Sequence, residues 1–213
     1  MKPQLYQLLV ALFASLGSFL FGYDLGVIGR AVASDAFVST FNKPSTDEIG
    51  AVVSVFTGGA FFGAGIAGAT ANFLGRRKTI LMGALIFCLG GGLQTGAQTL
   101  AYLYSGRAIA GLGVGVLVMI IPLYQAEIAH PAIRGRLTGL QQVFIGLGAT
   151  TAAYCAYGTT SHFASTDNKQ WQVPLGIQTI PAGILAAMIL LFPESPRWLE
   201  DYGRSELALR TLA

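Results

Sequence analysis

Residues 8–29 read LLVALFASLGSFLFGYDLGVIG, and residues 106–124 read GRAIAGLGVGVLVMIIPLY. Both are apolar stretches with the length to cross the hydrocarbon core of a bilayer, which takes about 20 residues of helix. Each carries a single charge, Asp24 in the first and Arg107 in the second. A charge at membrane depth costs roughly 2.5–3.5 kcal/mol on insertion scales and is retained mostly for function. These two residues therefore bear on the fold and on the function at once.

The rest of the chain continues the pattern. Of 213 residues, 53% are hydrophobic and only 11% are charged, against about 25% charged in a typical soluble domain. Six spans are predicted, at 5–29, 49–71, 79–98, 102–125, 138–158 and 173–192. They make an all-α membrane protein with no room for a soluble domain of any size. The first span is too long for a signal peptide and holds Asp24 where a small-residue cleavage site would stand. It reads as a retained helix. The glycine count of 28 fits a membrane bundle, where small residues let helix backbones approach closely. Gly59–Gly63 and Gly111–Gly115 both have GxxxG spacing.

The net charge of +3 reads as topology, not as a nucleic-acid surface. With the N-terminus cytoplasmic, the inner segments hold Lys2, Arg76, Arg77, Lys78, Arg134, Arg136, Arg197, Arg204 and Arg210. The outer segments hold only Arg30, Lys43 and Lys169. That is the positive-inside bias. Both termini are then cytoplasmic, in a multi-pass protein expected in the plasma membrane. Ser45 or Thr46 with Glu48 marks the start of the second span. Spans three and four form a tight hairpin across the link at 99–101, and Trp171 is expected as an interfacial anchor. Paired basic residues beside Gly75 and Gly135 hint at a three-plus-three internal repeat, common in transporters.

Asp24 lies about five residues from the outer end of its predicted span, and Arg107 about as far from the outer start of its own. At about 1.5 Å per residue both lie roughly 7–8 Å below the outer boundary. One reading is a carboxylate whose proton affinity depends on the nearness of Arg107, because burial and a neighbouring cation act on it in opposite directions. The other is a static structural ion pair. Spacing alone leaves both open. Gln141 and Gln142 are adjacent amides in span five, and at about 100° per residue at most one faces a central cavity. Sugar hydroxyls would satisfy such an amide, and so would a neighbouring helix. Phe21 precedes Asp24 by three residues on the same face and suits either packing or stacking on a sugar ring. No catalytic constellation is visible, so no enzyme is expected. His130 and His162 both fall in predicted loops without ligand-spaced partners, and no metal or cofactor is expected. The GLGVG run lies inside an apolar span and follows no strand, so a dinucleotide-binding reading fails. Cys88 and Cys155 lie inside spans, which argues against a disulfide.

Taken in order, several motifs resemble one family. They are FGYDLGVIG at 21–29, GRRK at 75–78, SGRAIAGLGVGVLVMIIPLYQAEIAHPAIRG at 105–135, RLTGLQQ at 136–142 and PESPRWL at 193–199. Together they resemble the N-terminal half of a sugar porter of the major facilitator superfamily, of the fungal sugar-transporter type. The resemblance implies six transmembrane helices arranged as two three-helix inverted repeats over 1–192. It makes 193–213 the start of a cytoplasmic linker to a C-terminal half. It implies transport of a sugar or related polyol, with the proton as coupling ion, by the complete protein. Asp24 and Arg107 match the proton-coupling pair of proton-coupled members. Gln142, which follows Arg-Gly by seven residues, matches the sugar-binding glutamine, and Phe21 resembles a sugar-contacting position. Arg76, Arg77, Glu127, Arg134, Glu194 and Arg197 match a cytoplasmic gate network. Asn72 stands where many members have Asp, Arg30 where many have Gly, and Ala149 where some have a second glutamine. The half alone is expected to be inactive for want of a partner half. A proton-independent facilitator and a half-transporter that regulates full-length relatives are the alternatives.

Overall fold

The computed structural model describes residues 3–129 and 133–212, all of it helix and connecting turns. The elements are α1 (Pro3–Ala14), α2 (Leu16–Val32), α3 (Asp35–Thr40), α4 (Thr46–Leu74), α5 (Arg76–Thr95), α6 (Leu100–Ile128), α7 (Arg134–His162), α8 (Lys169–Ile177), α9 (Thr179–Met188), α10 (Pro196–Asp201) and α11 (Ser205–Leu212). A 3₁₀ turn, Ile189–Leu191, ends the sixth span. At 29 residues each, α4, α6 and α7 are about 43 Å long, enough for a tilted crossing.

Local chemistry sets the ends. Ser45 caps α4 in a reciprocal box: its hydroxyl accepts from the Glu48 N–H at 3.3 Å, and the Glu48 carboxylate accepts from the Ser45 N–H at 2.7 Å. Thr99 caps α6 by accepting from the Tyr102 N–H. The expected inner loop at 72–78 shrinks to one residue. Gly75, at φ +86°, turns α4 directly into α5 because only glycine takes that backbone conformation without strain. The loop after span one contains α3. Its Phe37 and Phe41 pack against Trp171 with ring centroids 5.7 and 5.5 Å apart. Trp171 is fully buried there, so it is a packing residue and not the interfacial anchor expected. His162 ends α7 instead of sitting in a loop, while His130 lies outside the described residues. The 193–213 segment begins with a proline-started turn of helix, α10, capped by Ser195.

Among the described residues, five stretches are long and apolar enough to cross a membrane: Gln7–Val32, Thr46–Leu74, Arg76–Thr95, Leu100–Ile128 and Lys169–Leu191. The expected fifth span, 138–158, lies within α7, which has the length but less hydropathy. Arg134 and Arg136 begin it, and Gln141, Gln142, Thr150 and Thr151 interrupt it. Its buried stripe of Leu137, Gly148, Ala152, Ala156 and Thr159 packs chiefly on α2.

The two largest parallel pairings are α4 with α6 and α2 with α7. Both are made through glycine. Side chains added at Gly59 and Gly63 would strike the backbone of Ala108 and Leu112, and side chains at Gly111 and Gly115 that of Phe56 and Ala60. The two GxxxG motifs therefore face each other. On the other pair, Gly22 and Gly26 lie on Ile145 and Ala149. Under a three-plus-three repeat, span one exchanges with span four and span two with span five. The α2–α7 contact then maps onto the α6–α4 contact, as an inverted repeat requires. Helices α5 and α6 form the expected hairpin, joined by residues 96–99, with Gly90 against Ala110 and Gly106 against Gln94. Large apolar side chains such as Phe61, Phe62 and Phe73 project outward from α4, which suits a hydrocarbon surround better than water.

Candidate functional site: a buried ion pair and a charged end

Asp24 on α2 and Arg107 on α6 meet in the bundle, 0% and 1% exposed. Arg107 Nη1 donates to both carboxylate oxygens at 2.7 Å. Arg107 Nε donates to the Val52 carbonyl of α4 at 3.1 Å. The guanidinium carbon stands 4.1 Å over the Phe56 ring, and Nη1 also reaches Gln94 Oε1 of α5 at 3.4 Å. One guanidinium thus ties four helices together. The helices extend further than expected, to Val32 and from Leu100. The pair therefore lies about 10–12 Å from those helix ends, deeper than the roughly 7–8 Å read from the sequence. Burial of both charges is sustainable because each has the other and Arg107 has further polar and π contacts.

The α2–α7 pair places the two residues expected to touch substrate. Gln142 is exposed and Gln141 only half-exposed, as adjacent residues on one helix demand. Gln142 lies one turn before Ile145, the residue on which Gly22 packs. Phe21, next to Gly22, is half-buried and packs against the larger apolar cluster. Asp24 is one turn further along α2. These side chains thus belong to one helix pair within about two turns of each other.

At the end carrying the chain termini, four of the six expected gate residues converge. Arg76 holds Glu127 through two parallel bonds, Nε to Oε2 and Nη2 to Oε1, both 2.7 Å. Such a fork pairing is among the stronger and more directional ion pairs. Arg76 Nη1 also donates to the Ala71 carbonyl at 3.3 Å. Glu194 accepts from the backbone N–H groups of Arg76, at 2.9 Å, and of Arg77, at 3.3 Å, which are the first donors of α5. It acts as a helix cap supplied from 118 residues away, placed where the helix dipole favours a carboxylate. Arg77 donates to the Leu190 carbonyl. Trp198 Nε1 and the Tyr202 hydroxyl both donate to the Asn72 carbonyl, at 2.9 and 2.8 Å. Asn72 therefore contributes its backbone here, and the side-chain change from Asp leaves that contact intact. Arg134 and Arg197 are exposed and make no ion pair among the described residues.

Several polar residues in these sites went unread in the sequence. Gln94 touches Arg107. Gln125 Nε2 donates to the Ala11 carbonyl at 3.0 Å and to Ser15 Oγ at 2.8 Å, pinning the junction of α1 and α2. Gln178 is fully buried and lies against Gly91. An amide inside an apolar span is the signal that would have found all three. Cys88 and Cys155 are free thiols. Among the described residues no group of three or more His, Cys, Asp or Glu side chains gathers as a metal site would.

Comparison with known proteins places this geometry. The family described as sugar (and other) transporter matches residues 10–213. A quinate permease of Emericella nidulans is 42% identical over 211 residues, covering 96% of this chain and 39% of that protein. The MFS-type transporter criB of Aspergillus cristatus is 38% identical over 199 residues, covering 93% of this chain and 42% of that protein. The chain thus spans about two fifths of the length of these curated relatives. Among solved structures, the xylose transporter XylE from E. coli, in a partially occluded inward-open conformation, superposes with a TM-score of 0.87 at 27% identity. That match covers 97% of this chain and 55% of XylE. The proton:xylose symporter XylE bound to 6-bromo-6-deoxy-D-glucose superposes equally well, at 28% identity. The family match over residues 10–213, with the superposition on XylE, makes this chain a member of the sugar transporter family of the major facilitator superfamily.

Proposed function

We propose that the complete protein carries a polyhydroxylated ring, a sugar or a quinate-like polyol, across the membrane together with a proton. This chain supplies the six-helix N-terminal half. The observation that carries the reading is the water-excluded Asp24–Arg107 pair, set in a family whose named relatives include a quinate permease and a proton:xylose symporter. Arginine keeps its charge under all physiological conditions, so the proton that enters and leaves is carried by Asp24. Protonation from the outer side removes the charge attraction and frees Arg107 to shift. Gln142 meets ring hydroxyls with both a donor and an acceptor, and Phe21 covers an apolar ring face. Substrate binding then favours rocking of this half against its partner half, which parts the Arg76–Glu127 and Glu194 contacts at the inner end. Deprotonation of Asp24 towards the cytoplasm restores the pair. The half by itself has no second wall for the substrate path and is inactive alone. The protein sits in the plasma membrane with both termini of this half in the cytoplasm, needs no bound cofactor and performs no covalent chemistry.

Uptake of labelled xylose and labelled quinate by cells or proteoliposomes containing the complete protein tests this. An imposed inward proton gradient should drive accumulation, and a protonophore should abolish it. Uptake that equilibrates without accumulating, indifferent to the protonophore, would establish a facilitator instead. The absence of uptake for any polyhydroxylated ring would remove the transport reading itself.

A further inference from the structure

Gln94 stands beside the ion pair with its two amide ends in different circumstances. Its Oε1 lies 3.4 Å from Arg107 Nη1, longer than the 2.7 Å bonds that the same nitrogen makes to Asp24. Its Nε2 is buried and has no hydrogen-bond partner, and the whole residue is 0% exposed. A buried amide donor is almost always satisfied. One left open beside a titratable pair points to a second arrangement in which it is used.

We propose that Gln94 is a positioning residue for proton coupling, taking hold of Arg107 through Oε1 when Asp24 is protonated. The inference rests on the proton-coupled reading above. When Asp24 gains its proton, Arg107 stays charged and stays buried. Its remaining partners are the Val52 carbonyl, fixed in the α4 backbone, the Phe56 ring and Gln94. Of these three only Gln94 is a flexible side chain with an oxygen to offer. Its Nε2 is bonded to nothing, so turning the amide breaks no hydrogen bond on that side. That unused donor can turn towards the Asp24 carboxyl, whose neutral form still offers a carbonyl oxygen.

Several other titratable groups on the surrounding helices are engaged elsewhere. The Tyr23 hydroxyl donates to the Pro174 carbonyl at 3.0 Å, and Tyr104 to the Glu48 carbonyl at 3.1 Å. The Cys88 thiol faces the Thr179 carbonyl, and Cys155 lies beside the Tyr23 hydroxyl. The Glu48 carboxylate is occupied in the α4 cap. Among the described residues no second charged side chain pairs with Asp24 or Arg107.

The test is the external-pH midpoint of labelled xylose or quinate uptake by the complete transporter. Gln94→Leu removes the acceptor and makes unpaired Arg107 costlier, so Asp24 holds its charge to lower pH. The midpoint then moves about one to two pH units towards acid, the size of a hydrogen bond to a charged group. Gln94→Glu places a second carboxylate beside the first, favours protonation of Asp24 and moves the midpoint towards alkali. A residue that only packs would leave the Gln94→Leu midpoint where it is, and a general loss of fold would lower the rate without moving the midpoint. If Gln94→Leu fails to reach the membrane, Gln94→Met, which keeps the length of the side chain and lacks the amide oxygen, decides in its place. A pH-dependent wild type with unmoved variants overturns the role of Gln94 only. A wild type that transports with no pH dependence overturns the coupling reading, and the role of Gln94 with it.

Discussion

Replacing Asp24 with asparagine separates a static ion pair from a switch. Asp24 and Arg107 are 0% and 1% exposed and joined by two 2.7 Å contacts. Breaking a buried pair by removing one charge costs about 3–5 kcal/mol. In Asp24→Asn, Arg107 keeps the Val52 carbonyl and the Phe56 ring, and the new amide still offers an oxygen. The cost should therefore fall at the low end, about 3 kcal/mol. For a chain of 213 residues that corresponds to a melting temperature lower by about 6–12 °C. Unfolding of the purified protein in detergent, followed by tryptophan fluorescence, reads it, since Trp171 is buried in the bundle. Uptake supplies the second readout. The amide mimics the protonated acid, so the switch reading expects substrate exchange to survive while accumulation against a gradient is lost. The static reading expects exchange and accumulation to fall together. A melting shift under about one degree would refute the buried-pair energetics, and undiminished accumulation would refute the coupling role of Asp24.

At the end carrying the chain termini, Glu127→Gln breaks the fork with Arg76 and should cost about 3 kcal/mol; a double-mutant cycle with Arg76→Leu should recover most of it as coupling energy, and additive losses would argue against the pair. Glu194→Gln keeps the capping oxygen but loses the charge at the α5 N-terminus, a loss of about 1 kcal/mol by chemical denaturation. Gly75→Ala should cost more, about 2 kcal/mol, because φ is +86° there and a Cβ would stand 2.6 Å from Glu194 Oε2; an equal or smaller effect than Glu194→Gln would contradict that crowding. Gly63→Leu should wedge α4 from α6 and destabilise by about 1–3 kcal/mol or more, whereas Gly65→Ala, with nothing within 4 Å of the new carbon, should stay within about 0.5 kcal/mol of wild type; protease resistance in detergent ranks the two.

The helical class, the length of the spans and the charge asymmetry were legible in the sequence because each rests on local composition. A helix that must satisfy its backbone in hydrocarbon needs a long apolar run, and such a run is visible without knowing its neighbours. The Ser45–Glu48 cap was legible for the same reason, since its partners are three residues apart. The motif order was specific enough to imply the family, and the matched residues 10–213 agree. Helix α7 has the length of a span, but its amides and threonines dilute the apolar run, and its place comes from packing on α2.

What the sequence alone determined, then, is that Asp24 and Arg107 lie at similar depth and that two GxxxG motifs exist. Only the tertiary structure decided that one guanidinium nitrogen serves both oxygens of the carboxylate, or that the two glycine motifs meet each other. Contacts between residues 83 and 51 positions apart, as in Arg107–Asp24 and Arg76–Glu127, depend on which helices become neighbours. That choice is made by side-chain fit and by which glycine surface meets which, and the GxxxG spacing visible along the chain does not name its partner. The same holds for Trp171, buried by α3 instead of standing at the interface, and for Gln94. An amide at position 94 is plain to read; that it stands beside Arg107 with one end unused follows only from α5 folding back on α6.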